Sequence, residues 1–225
     1  MADGFAADGL GYGDRLEERL SGQGLRVARR DLTSIDGAVP AARLHVLSGG
    51  STSVNDQSSW MSRALALTRS LVQGAQRDDH TIVGICLGSQ IIAEALWPGG
   101  VHAAERIEVG LTEVQWCDGK SEGIITPAFH YEELDPSAVL GGGGKIVADN
   151  AHSPVQGFRL GARIWGLQFH PELEPADVRR MVKDHRLDIE EHRGTAEAAL
   201  RSVDELESRW NPDLFDRVFH RIIEH

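Results

Sequence analysis

A cysteine between two glycines is the residue of this sequence best suited to chemistry. Cys86 follows the β-branched run of residues 81–85, which predicts a buried strand, and precedes apolar residues at helical spacing over 87–96. It therefore lies on a predicted strand-to-helix turn. Gly84 and Gly88 suit such a turn because glycine tolerates strained angles and close approach of the neighbouring chain. Since the start of a helix favours a thiolate, we interpret Cys86 as a nucleophile rather than a buried core cysteine.

A histidine and a carboxylate later in the chain could complete this chemistry. His170 and Glu172 are two residues apart in the predicted extended segment 164–172, so their side chains can share one side. Pro171 between them stiffens the backbone. A histidine held by a carboxylate can take a proton from a thiol and later give it to a leaving amine. A His-Pro-Glu tripeptide alone is equally typical of a surface turn, but together with Cys86 it predicts a catalytic triad.

The two motifs resemble those of the class I glutamine amidotransferase domain, the glutaminase module of GMP synthetase, anthranilate synthase and carbamoyl phosphate synthetase. They read Gly-x-Cys-x-Gly-x-Gln over 84–90 and Gln-Phe-His-Pro-Glu over 168–172, and the resemblance covers roughly residues 25–175. It implies an α/β fold, with an open, mostly parallel, flavodoxin-like sheet flanked by helices. It also implies that L-glutamine is hydrolysed through a thioester on Cys86, without a cofactor, and that the ammonia goes to a partner synthase.

The resemblance further assigns residues around the nucleophile. A diglycine, Gly49-Gly50, follows the predicted strand 44–47, where an α/β sheet places loops that approach a ligand. In the family this loop donates one N–H of the oxyanion hole, which points to Gly50, and the residue after the nucleophile, Leu87, donates the other. Family members often have Gly-Gly-Pro where this chain has Gly-Gly-Ser, and a plain turn is the alternative. The residues expected to contact substrate are Gly49, Gln90, His130 and Tyr131.

Two of these contacts come from the segment 129–132. In related glutaminases a His-x-Asp loop at this point helps to hold the α-amino and α-carboxylate groups of the substrate. Here Glu132 replaces the usual Asp, and Tyr131 stands where a smaller residue is common. The sequence therefore leaves the size of the substrate pocket undetermined. A structural role for His130 is the alternative to substrate binding.

The hydrophobic pattern predicts the elements that position these residues. Apolar stripes with helical period predict helices, and short β-branched or alternating runs predict strands. The first 13 residues show no clear strand, so the family's usual first strand is expected to be missing or poorly formed. The predicted strands are 25–28, 44–47, 81–85, 107–114 and 146–148, and the predicted helices are a short one after Asp14, 60–72, 87–96 and three covering helices after Pro175.

Composition limits the class of protein. With 225 residues and 41% hydrophobic content, the chain predicts one domain over 1–225, with a core at 14–175 and a helical C-terminal extension at 176–225. A formal net charge of −11 argues against nucleic acid or an anionic membrane as a partner. Two cysteines and the lack of a leader or membrane-length apolar run predict a cytoplasmic protein. The ten histidines show no metal-ligand spacing, so no metal is predicted.

Two other functions remain open from the sequence. A stand-alone γ-glutamyl peptide hydrolase would use the same triad on a larger γ-glutamyl amide and discard the amine. A non-catalytic interaction subunit would keep the fold alone, which the intact triad disfavours.

Overall fold

The computed structural model describes residues 11–35, 39, 41–119 and 121–224. The strands are β1 Leu44–Leu47, β2 Thr81–Ile85, β3 Val101–Trp116, β4 Glu122–Leu134, β5 Lys145–Asp149, β6 Gly157–Leu160 and β7 Ile164–Leu167. The helices are α1 Tyr12–Gly22, α2 Ser59–Gln76, α3 Leu87–Leu96, α4 Pro136–Gly141, α5 Pro175–Asp184, α6 Arg186–Glu191, α7 Ala196–Leu206 and α8 Leu214–Ile223, with a 3-10 turn at Glu207–Arg209.

The strands form one mixed sheet in the order β1-β2-β7-β6-β5-β3-β4. Only β1, β2 and β7 pair in parallel, and every other neighbouring pair is antiparallel. The helix-flanked α/β sheet is confirmed, but the prediction of a mostly parallel sheet is wrong. The reason is the length of the connections: β3 to β4, β5 to β6 and β6 to β7 are joined by short turns, and short turns can join only antiparallel neighbours.

Helices cover both faces of the sheet because its central strands alternate their side chains between two cores. Val83 and Ile85 of β2 pack in one core with residues of α1 and α8, and Ile82 packs in another with residues of α2, α3 and α4. A third cluster joins α5, α6 and α7 to β3 and β4. The prediction that the C-terminal helices cover the sheet is therefore confirmed.

Three local predictions differ from the structure. The predicted extended segment 164–172 is a strand only over Ile164–Leu167, and residues 168–172 form a bend and a turn. Residues 25–28 form no strand; Leu25 is 41% exposed, so the segment buries too little apolar surface to join the sheet. Residues 129–132 lie within β4, not in a loop. The expected lack of a first strand falls partly on residues 1–10, which lie outside the described residues; from residue 11 onward, β1 is the first strand.

The hairpin of β3 and β4 curls back towards the centre of the sheet. In hydrogen-bonded order β4 is the edge strand farthest from β1. Nevertheless, the backbone N–H of His170, just after β7, donates to the carbonyl of Pro127 in β4 at 2.9 Å. The curl therefore brings β4 beside the residues that follow β7.

No helix within the described ranges combines the length and apolar character needed to cross a membrane.

The turn between β2 and α3 packs backbone against backbone. A Cβ at Gly88 would lie 2.1 Å from the carbonyl oxygen of Leu47, and one at Gly84 would lie 2.4 Å from the carbonyl oxygen of Gly88. The two glycines therefore provide room, while the left-handed backbone angle falls on Cys86, with φ 50°. This packing fixes α3 against β1.

We predict that Gly88→Ala lowers the free energy of unfolding by about 1–3 kcal/mol, since the methyl group must displace backbone. Gly141→Ala is the matched control, because a Cβ there meets no atom within 4 Å. It should leave stability within about 0.5 kcal/mol. Urea denaturation of both variants measures the difference, and equal effects would contradict the prediction.

Candidate active site

Three strand ends meet at one edge of the sheet. Because β1, β2 and β7 are parallel and aligned from Leu47 through Gly84 to Gly166, their carboxyl ends lie side by side. The diglycine loop after β1, the turn after β2 and the segment after β7 therefore converge, at the edge where α/β sheets bind ligands. The fold thus brings together all three predicted sets of site residues.

Cys86 occupies the predicted strand-to-helix turn. It is the N-cap of α3 with φ 50° and ψ −114°, a conformation that L side chains rarely adopt. Its N–H donates to the carbonyl of Leu167 at 2.7 Å, which ties the turn to β7. The residue is 5% exposed, and its Sγ lies 3.6 Å from the carbonyl oxygen of Phe129. The thiol is thus held in a fixed place at the start of a helix.

His170 and Glu172 form a fully buried pair. The distance between His170 Nδ1 and Glu172 Oε1 is 2.7 Å, and neither side chain is exposed. Burial lowers the pKa of His170, but the charges of Glu172 and Cys86 and hydrogen bonding to both raise it to about 10. Nε2 makes no hydrogen bond of ordinary geometry among the described residues. The pair favours a positively charged imidazole beside the thiol.

The diglycine loop lies directly against these groups. A Cβ at Gly49 would lie 2.9 Å from His170 Cε1, and a Cβ at Gly50 would lie 2.9 Å from Leu87 Cδ2. Only glycine fits there without a shift of the neighbouring side chain. The two predicted oxyanion donors, Gly50 and Leu87, are therefore in contact, and their roles stay predictions.

Two predicted substrate contacts line the same region. Gln90 is 4% exposed and its Nε2 donates to Gln168 Oε1 at 3.3 Å and to the carbonyl of Glu132 at 3.5 Å. Tyr131 donates its hydroxyl to the carbonyl of Ser51 at 3.4 Å, next to the diglycine. Gln90 thus contacts the backbone of β4, and Tyr131 of β4 contacts the loop after β1.

His130 has a different environment. Its Nε2 lies 2.9 Å from Glu108 Oε2, its Nδ1 lies 3.0 Å from the carbonyl oxygen of Glu132, and the residue is 3% exposed. Both ring nitrogens are therefore engaged inside the protein. The geometry favours the structural alternative, and the substrate contact of this side chain stays an untested prediction.

Glu108 is a buried carboxylate that sequence reasoning missed. It accepts hydrogen bonds from His130, from Gln156 at 2.5 Å and from Asn150 at 2.6 Å. Burial raises the pKa of Glu108, but the hydrogen bond and charge of His130, helped by His152 and Thr112, lower it to about 2. The alternating pattern of β3 predicts that Glu108 lies on the solvent-exposed face, so no local signal indicated its burial.

Glu132 has a second role that the sequence did not reveal. Its Oε1 accepts hydrogen bonds from Ser53 Oγ at 2.5 Å and Asn55 Nδ2 at 3.1 Å. The carboxylate thereby ties the loop after β1 to β4, and the loop carries the diglycine.

Metal binding has no candidate in the described part of the chain, where no three His, Cys, Asp or Glu side chains are grouped to hold an ion. The sequence prediction of no metal stays a prediction.

The arrangement is typical of enzymes that use a cysteine nucleophile: a thiol on a strained turn, beside an imidazole held by a carboxylate. The family model "Glutamine amidotransferase class-I" matches residues 16–187. The chain belongs to the class I glutamine amidotransferase family.

The similarity to individual relatives supports this family assignment. The chain is 31% identical over 170 residues to the glutamine-hydrolysing GMP synthase of Aeropyrum pernix, a match that covers 72% of this chain and 30% of that protein. It is 30% identical over 137 residues to one subunit of the glutamine-hydrolysing GMP synthase of Saccharolobus solfataricus, covering 57% of this chain and 66% of that protein. The chain thus spans less than two thirds of the length of these two relatives.

A solved structure shows the same fold. The glutamine amidotransferase of Methylobacillus flagellatus superposes with a TM-score of 0.71 at 22% identity, over 98% of this chain and 92% of that one.

We predict that a glutamine-mimicking electrophile modifies Cys86 well before Cys117. The charges of Glu172 and Cys86 raise the pKa of His170, which favours a charged imidazole next to Cys86, whereas desolvation of the sulfur and the nearby Asp149 carboxylate raise the pKa of Cys117. Mass spectrometry of the labelled peptides at neutral pH measures the ratio. Cys117→Ser should label as the parent protein does; equal labelling of the two cysteines in the parent would contradict the prediction and favour a non-catalytic role.

Proposed function

We propose that this protein hydrolyses the side-chain amide of L-glutamine to glutamate and ammonia through a thioester on Cys86. Family membership supports the substrate. The observation that carries the mechanism is the buried His170–Glu172 pair, at 2.7 Å, next to the strained turn that holds Cys86. Cys86, His170 and Glu172 are the catalytic residues of this proposal.

The first step forms the thioester. The thiolate of Cys86 attacks the amide carbon, and the amide oxygen becomes an oxyanion that the N–H groups of Leu87 and Gly50 stabilise. Each such donor contributes about 3–4 kcal/mol to transition-state stabilisation in comparable sites. The imidazolium of His170 then gives its Nε2 proton to the departing nitrogen, the C–N bond breaks, and ammonia leaves.

The second step releases glutamate. Neutral His170 takes a proton from water, the hydroxide attacks the thioester carbon, and the C–S bond breaks after a second oxyanion has formed at the same two donors. The sulfur leaves as thiolate and the imidazolium is restored. Glu172 keeps Nδ1 protonated and the ring oriented throughout, without itself exchanging a proton.

Substrate binding in this proposal uses the side chains that border the diglycine loop. Gln90 contacts the backbone of β4, Tyr131 of β4 contacts the loop after β1, and Gly49 leaves room next to His170. Their contacts to glutamine are proposed from the family resemblance and these positions.

We further propose that the ammonia serves a partner synthase. Two relatives are named as single subunits of a glutamine-hydrolysing GMP synthase. These names support an arrangement in which one protein hydrolyses glutamine and a partner uses the ammonia. Ammonia released into water at neutral pH is mostly protonated and is no longer nucleophilic, so an acceptor must receive it directly. A docked partner could set the orientation of the Gly50 amide, because the side chains of Glu132 and Tyr131 tie the loop after β1 to β4.

A cavity favours the γ-glutamyl peptide hydrolase as a second candidate. It measures about 240 Å³ and opens beside Tyr131, between β3 and the turn after α6. A group attached to the amide nitrogen of a γ-glutamyl substrate could occupy such a space.

We predict that Cys86→Ala lowers glutamine hydrolysis by about a thousandfold or more, because no other group can form the thioester. Glu172→Gln should retain some activity and remain above Cys86→Ala, because the carboxylate orients His170 without taking part in bond-making. Ammonia release measures both rates, and circular dichroism verifies folding. Cys117→Ala is the matched control and should behave as the parent. Glutamine turnover by Cys86→Ala at the parental rate would refute the mechanism.

We also predict a low steady-state glutaminase rate for the isolated protein, rising about fivefold or more with its cognate synthase and the substrates of that synthase. Synthases encoded near this chain are the candidates to add. A high rate alone that no synthase changes, together with faster cleavage of γ-glutamyl peptides than of glutamine, would instead support the stand-alone hydrolase.

A further inference from the structure

An aromatic ring from the N-terminal helix covers His170. The rings of Tyr12 and His170 are stacked, with centroids 4.7 Å apart and planes inclined by 12°. Tyr12 is the first residue of α1 and is 3% exposed. A Cβ at Gly49 would lie 2.9 Å from His170 and 3.3 Å from Tyr12, so the diglycine loop adjoins both rings. One face of the imidazole is therefore closed to water.

Helix α1 is fixed to the same segment that carries His170 and Glu172. Arg19 Nε donates to the carbonyl of Glu172 at 3.4 Å, and Arg19 Nη2 pairs with Glu174 at 2.8 Å. Arg15 pairs with Asp177 at 2.7 Å, and this carboxylate is 8% exposed. Since the helix is tied to Glu172 and to the residues that follow it, the Tyr12 ring has a fixed position relative to the imidazole.

We propose that Tyr12 is a positioning residue that holds the plane of the His170 ring, keeps water off it, and so stabilises the imidazolium–thiolate pair with Cys86. The inference rests on the proposed function in that His170 and Cys86 act together. The face of a tyrosine ring attracts a cation, and its bulk excludes the water that would screen the pair.

The charges around the pair agree with this role. The ionisable groups that interact with His170 and Cys86 are Tyr12 from α1, Glu172 from the segment after β7 and Tyr131 from β4. Burial raises the pKa of Tyr12 well above its ordinary range, and the charges of Cys86 and Glu172 raise it further. The hydroxyl therefore stays neutral, and the ring contributes its face without adding a negative charge.

The experiment compares Tyr12→Leu with Tyr12→Phe in the Cys117→Ser protein. The readout is the pH at which iodoacetamide alkylation of Cys86 reaches half its maximal rate. Leucine offers no aromatic face to the imidazolium, so Tyr12→Leu should disfavour the charged pair and move this midpoint upward by about 0.5 pH unit or more. It should also lower kcat for glutamine about tenfold, with KM within about twofold, because ring orientation serves proton transfer. Tyr12→Phe keeps the ring and should restore both values.

Leu20→Ala is the matched control on the same helix, because Leu20 is buried in the core that joins α1 to the sheet. It should lower the melting temperature and leave the alkylation midpoint unchanged. The proposal is overturned if Tyr12→Leu lowers only the melting temperature, or if Tyr12→Phe behaves like Tyr12→Leu. Alkylation needs no glutamine, so a parent protein that shows no glutaminase activity even with its cognate synthase would refute the proposed function while the midpoint still tests Tyr12.

Discussion

The close contact of β1, β2 and α3 is the constraint on which the rest of the site depends. The space normally filled by a Cβ at Gly88 is taken by the backbone of Leu47, and the space at Gly84 is taken by the backbone of Gly88. Because the helix begins so close to the sheet, Cys86 must turn within one residue and adopts a left-handed conformation. Tight backbone packing thus compensates the strain of a conformation that would be unfavourable in a free chain.

The site joins two kinds of strand arrangement. Parallel pairing of β1, β2 and β7 aligns three strand ends, which supply the diglycine, the thiol and the imidazole. The antiparallel hairpin of β3 and β4 then curls over these ends and adds the carbonyl of Phe129 beside the sulfur. The parallel part therefore sets the reacting groups, and the antiparallel part forms the wall that faces them.

Burial strengthens the electrostatic interactions between the charged side chains of the site, because it removes the solvent that would screen them. His170 and Glu172 are both fully buried, so their interaction is little screened by solvent. A buried charge is stable only with partners, and the imidazole has Glu172 on one nitrogen, Cys86 near the other and the ring of Tyr12 on its face. In the proposed mechanism, the same combination would support both thiolate formation and proton return to a leaving group.

The sequence by itself determined the features that depend on a few neighbouring residues. A β-branched run, two glycines and a helical stripe were enough to predict the turn at Cys86. The pairing of His170 with Glu172 was expected from an extended segment, whereas the structure makes it in the bend and turn that follow β7. Tertiary structure decided the rest: the exposed segment 25–28 joined no strand, Glu108 was buried under a curled hairpin, and Tyr12 came to stack on His170. These outcomes depend on surfaces that distant parts of the chain bury together, and local periodicity carries no information about which distant surface covers a residue.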